Sequence, residues 1–74
     1  MEQRILEMLN EIRPEFDFTS SEDFVEDGFL DSFDVVTLVS MLESEYNIII
    51  DGLDVLPDYF CTVQSIVELV KKSS

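Results

Sequence analysis

From Val35 to Tyr46, apolar side chains recur at Val35, Leu38, Val39, Leu42 and Tyr46, at spacings of three and four. That spacing places all five on one side of an α-helix and gives it a continuous stripe that must be buried. Other parts of the chain supply the facing walls. In residues 2–13, Ile5, Leu9 and Ile12 share a face with Leu6 and Met8 beside it, and Pro14 stops the helix near Arg13. Near the end of the chain, Thr62 caps a last helix in which Val63, Ile66, Val67 and Val70 turn inward. Lys71 and Lys72 fall at its C-terminal end, where positive charge complements the helix dipole.

The connections are irregular but anchored. Residues 14–31 hold Thr19, Ser20, Ser21, several carboxylates and Asp27-Gly28, which predicts a long loop pinned to the core by Phe16, Phe18, Phe24, Val25, Phe29 and Leu30. Ile48, Ile49 and Ile50 have strand propensity. No second strand is evident to pair with them, and an isolated strand is not stable, so they read as an extended, partly buried connector. Asp51-Gly52 is a turn signal, and Pro57 to Phe60 fits one short helical turn. The expected fold is therefore all-α: a small four-helix bundle of three main helices and one short one, forming a single domain over residues 1–74. A chain of this length buries only about 60% of its unfolded surface. The apolar fraction of 46% is enough for a core and argues against disorder.

Charge narrows the function classes. Seventeen carboxylates against four cations give a net charge of −13, and eleven of the seventeen lie at or before Asp34. Such a surface repels nucleic acid and anionic membranes and favours basic protein partners. Its self-repulsion predicts that salt or divalent cations stabilise the fold. No apolar run approaches the roughly 20 residues of a membrane span, and the acidic N-terminus lacks the basic and apolar regions of a signal peptide. Cys61 is the only cysteine, which rules out an internal disulfide and points to a reducing compartment. A cytoplasmic monomer is expected. The chain has no histidine, so Cys61 has no Cys–His partner and zinc has no adequate ligand set. Cys61 is expected to be a small buried group between the last two helices.

The segment Gly28-Phe29-Leu30-Asp31-Ser32-Phe33-Asp34 ends the loop and opens the central helix. Asp31 is a good N-cap, and Ser32 falls at the first helical position with its hydroxyl free to face solvent. Free N–H groups and the dipole suit a phosphate there. Asp31 and Asp34 flank Ser32, where their carboxylates could hold a cationic enzyme surface or a metal ion.

Here the sequence resembles the acyl and peptidyl carrier proteins, whose attachment motif is Asp-Ser-Leu followed by an acidic residue. It stands in this chain as Asp31-Ser32-Phe33-Asp34. The family plan of first helix, long loop, central helix, short third helix and last helix covers the whole chain. The resemblance implies a non-catalytic protein on which a phosphopantetheinyl transferase attaches 4'-phosphopantetheine from coenzyme A at Ser32. The arm then carries acyl or aminoacyl groups as thioesters, received from a loading ligase and passed to downstream transferases or synthases. Partners would dock on the exposed face of the central helix, with Phe33, Asp34, Val36, Thr37, Ser40 and Glu43. The cargo would partly shelter between the central and last helices, among Val39, Leu42, Ile50, Phe60, Cys61 and Ile66.

Phe33 stands where leucine is commonest, and Thr37 and Ser40 stand where fatty-acid carriers often place an acidic residue and a methionine. These departures favour a dedicated carrier serving one ligase, such as a D-alanyl carrier or one from secondary metabolism, over a housekeeping fatty-acid carrier.

Two alternatives compete. Aligning Gly28 with the glycine of an EF-hand loop puts Asp23, Asp27 and Asp34 at ligand positions and Leu30 at the apolar one, but Val25 falls where a ligand is needed and Asp34 where a bidentate Glu is normal. An acidic inhibitor or immunity-type protein would also explain the net charge and helicity.

Overall fold

The computed structural model describes residues 1–74. Three α-helices form the frame: α1 (Glu2–Ile12), α2 (Ser32–Tyr46) and α3 (Val63–Ser73). Two 3₁₀ turns, Gly52–Asp54 and Pro57–Tyr59, lie between α2 and α3, and there is no strand. The short fourth helix expected at Pro57 is the second of these turns, and the Asp51-Gly52 turn forms the first. Asp51 caps it by accepting from the Leu53 N–H. The fold is the all-α carrier-like bundle expected from the sequence.

Helix α1 packs against both α2 and α3, and the Pro57–Tyr59 turn packs on α3. The core draws Ile5, Met8 and Leu9 from α1, Leu38 and Leu42 from α2, and Ile66, Val67, Leu69 and Val70 from α3. Met8 and Leu69 are fully buried, whereas Ile12, Val35, Val39 and Tyr46 are half-buried edges of the core. The α2 stripe thus buries most deeply at Leu38 and Leu42, one helical turn apart. Helix α2 stops at Asn47, whose left-handed backbone (φ 54°) lets its N–H return to the Glu43 carbonyl. Asn tolerates that conformation better than most residues.

The loop from Pro14 to Asp31 is held by its own aromatic rings. Phe16 stacks on Phe29 at 4.4 Å, and Phe18 meets Phe24 edge-on at 5.0 Å and Phe29 at 5.5 Å. Backbone bonds lock the last part. The Phe24 N–H donates to the Cys61 carbonyl at 2.8 Å, and the Phe24 carbonyl accepts from Phe29 and Leu30. The chain reverses between these points through Gly28 at φ 76°, a left-handed conformation in which a side chain is strained. The reversal drives Leu30 into the core and leaves Asp31 at the mouth of α2.

The connector after α2 is extended, as the absent second strand implied. Ile50 is buried, Ile48 half-buried and Ile49 exposed. Its fixation rests on Glu43, whose carboxylate accepts from the Ile50 N–H at 2.9 Å. Further along, Lys72 ties the first 3₁₀ turn to α3 through Asp54 at 2.8 Å, and also donates to the Tyr59 hydroxyl.

Candidate functional site

Asp31 opens α2 with a reciprocal capping box. Its Oδ1 accepts from the Asp34 N–H at 2.8 Å, and the Asp34 carboxylate accepts from the Asp31 N–H at 3.3 Å. This pairing satisfies two backbone donors that a helix start leaves open. Ser32 is then the first helical residue and is exposed. Its N–H has no intrahelical acceptor because of its position, and its hydroxyl takes part in no hydrogen bond of the structure. The oxygen is therefore free on the protein surface at the positive end of a fifteen-residue helix.

The two flanking carboxylates differ. Asp31 is exposed at the rim of the site. Asp34 is only 7% exposed and turns inward, where the Arg13 Nε donates to its Oδ2 at 2.7 Å. Asp34 is thus not available to hold a partner surface or a metal, contrary to the sequence expectation. A capping-box acid at the third helical position must fold back over the helix start, and here it meets the end of α1. Asp31 itself titrates below the ordinary aspartate range, first because the Asp34 N–H donates to it and second because of the Arg13 charge, with partial desolvation opposing.

Because its folded value lies below its unfolded one, the Asp31 cap contributes stability above the unfolded value and loses it as pH falls through the folded value. Self-repulsion of the seventeen carboxylates acts in the opposite sense as they neutralise. The expected melting curve therefore rises or holds from neutral pH to about pH 5 and falls below about pH 4. Asp31→Asn should flatten that low-pH limb, which circular-dichroism melts across the range would read.

The remaining face of α2 also departs in part from expectation. Phe33, Val36 and Ser40 are exposed, with Phe33 at 79% and Val36 at 62%. Thr37 is half-buried and its hydroxyl donates to the Phe33 carbonyl. Glu43 is half-buried and engaged with Ile50, so it belongs to the fixation of the connector rather than to an open docking face.

A cleft of about 300 Å³ opens beside Ser32. One wall is α2 with Val35 and Val36, and the other is Val55 and Leu56 between the two 3₁₀ turns with Pro57 at the start of the second. Val25 and Leu30 line it further, and its polar groups are those of Asp31 and Ser32. This is not the slot expected from sequence. Leu42, Ile50, Phe60 and Ile66 are core residues with almost no exposed surface, and Val39 is packed against them. Cys61 is half-exposed rather than buried, with its Sγ donating to the Asp58 carbonyl at 3.2 Å.

The geometry does not favour the calcium-loop alternative. Asp23 Oδ1 accepts from the Val25 and Glu26 N–H groups, Asp27 accepts from the Ser21 hydroxyl, and Asp34 faces Arg13. No three potential metal-ligating side chains converge anywhere in the chain.

The family defined by the phosphopantetheine attachment site matches residues 3–70, nearly the whole chain. The chain belongs to that family of carrier proteins. Its prosthetic group is 4'-phosphopantetheine, and such carriers are not themselves catalysts; they work with a phosphopantetheinyl transferase and with biosynthetic enzymes. The search of curated proteins and the search of solved structures each returned no match. No helix is long and apolar enough to cross a membrane.

Proposed function

We propose that Ser32 is the attachment point and that the chain carries acyl or aminoacyl groups as thioesters for partner enzymes in the cytoplasm. The observation that carries this reading is the exposed, unbonded Ser32 hydroxyl at the start of α2. In the attachment step, the Ser32 oxygen bonds to the pantetheine-side phosphorus of coenzyme A while the pyrophosphate P–O bond breaks. Adenosine bisphosphate leaves, and the serine proton passes to a base of the transferase. The new diester carries one negative charge against the positive end of the α2 dipole. Once bound, the group supplies a terminal thiol at the end of a flexible arm.

Around Ser32, Phe33, Val36 and Ser40 form the face that a partner meets on reaching the hydroxyl. Two of the three are apolar, so this contact relies on buried apolar surface, while the net charge steers the encounter. The cleft between Val36 and Leu56 is the nearest shelter for the arm or a short apolar cargo. Tethering supplies a high effective concentration, so weak contacts suffice. This face carries no acidic row, which fits a dedicated carrier with its own loading ligase, a D-alanyl carrier among them, better than a fatty-acid carrier.

The test is intact mass after incubation with coenzyme A and a broad-specificity phosphopantetheinyl transferase. One adduct on the wild-type chain and none on Ser32→Ala is the expected result. An adduct that persists on Ser32→Ala would refute the assignment.

A further inference from the structure

Resting on the carrier reading above, we propose that Arg13 is a positioning residue for attachment at Ser32, holding Asp31 and Asp34 in their different roles from the end of α1. Its guanidinium uses each nitrogen on a different carboxylate: Nε on Asp34 at 2.7 Å, one terminal nitrogen on Asp31 at 3.3 Å and the other on Glu15 at 3.4 Å. The Asp34 contact is the buried one, with that side chain 9% exposed against 61% for Asp31. Arg13 therefore draws one motif carboxylate inward as an anchor and leaves the other at the rim beside the reacting hydroxyl.

No other cation can take this part. Arg4 is engaged with Glu7, Glu11 and Glu45, Lys72 with Asp54, and Lys71 lies in the last turn of α3. Arg13 and Asp31 are 18 positions apart along the chain, and most of the intervening residues are irregular loop. The guanidinium is thus a direct tie between the end of α1 and the start of α2. Lysine cannot reproduce it, because an ammonium is a single point and the three acceptors lie in different directions. Without the fork, Asp31 keeps its cap to Asp34 through one oxygen but loses the hydrogen bond that holds its other oxygen.

The experiment measures kcat/KM for arm attachment on the wild-type chain, Arg13→Lys, Asp31→Asn and the double variant. Each is assayed at a temperature where circular dichroism shows it folded. Arg13→Lys should be about tenfold slower, a change that corresponds to the loss of one well-placed charged contact. The double variant should be no slower than Asp31→Asn within about twofold, because residues acting through one another do not add. A purely structural role would leave the folded Arg13→Lys chain at the wild-type rate, and that result overturns the proposal. So does a double variant whose loss is the product of the two single losses, or an Asp31→Asn chain with no loss. A wild-type chain that takes no arm overturns the carrier reading as well, whereas normal wild-type attachment with an indifferent Arg13 overturns this inference alone.

Discussion

Phe24→Ala is expected to leave the chain largely unfolded at room temperature. Phe24 is among the largest fully buried side chains, and it sits edge-on to Phe18 at 5.0 Å within the four-ring cluster of the loop. Removing a buried phenylalanine side chain costs about 3–5 kcal/mol through lost transfer energy and the cavity left behind. A domain of this size sits at the low end of the usual range of about 5–15 kcal/mol, and a net charge of −13 pushes it lower. The loss is thus comparable with the whole stability. The backbone groups of Phe24 also bind Cys61, Phe29 and Leu30, so disorder at this position spreads to the turn that delivers Asp31. Urea titration followed by far-ultraviolet circular dichroism should show little or no folded baseline. Ile49→Ala, at an 85% exposed position, should shift the midpoint by no more than about 0.5 kcal/mol.

Asp34→Ala has the second largest expected effect, and it separates charge from shape at the mouth of α2. Alanine removes the acceptor for the Asp31 N–H and the closest partner of Arg13 together. Losing this one reciprocal hydrogen bond of the capping box costs about 0.5–1.5 kcal/mol. Breaking a buried ion pair from one side costs up to about 3–5 kcal/mol, but Arg13 is 35% exposed and can turn to water, Asp31 or Glu15. We expect about 2–4 kcal/mol in total. Asp34→Asn keeps an acceptor oxygen for the Asp31 N–H and loses only the charge, so it should cost about half as much. Equal losses in thermal or urea unfolding would show that the capping bond contributes nothing.

These two positions mark what could and could not be read from the sequence. The aromatic pinning of the loop was legible, because six apolar residues in an otherwise polar stretch have no other use. The course of α2 was legible from its stripe and from Asp31. Asp34 was misjudged because motif and charge both argued for a surface role. The spacing of Asp31 and Asp34 was the available signal, since acids three apart at a helix start match a capping box. Its partner Arg13 lies 21 residues away across an irregular loop, and no local pattern links them. Leu69 was missed because the α3 stripe already closed at Ile66, Val67 and Val70, while a short helix between two neighbours buries a wider arc. The cleft was misplaced for a related reason: its outer wall is Val55 to Pro57, in a segment with no periodicity to show where it packs.

The hydroxyl of Ser32, and no other, is expected to receive the prosthetic group. After incubation with coenzyme A and the transferase, cleavage at glutamate releases residues 27–43, which contain Ser32, Thr37 and Ser40. Fragmentation of that peptide should place a single adduct on Ser32. An adduct on Thr37, Ser40 or a hydroxyl of the loop, or none on a chain shown to be folded, would contradict the account.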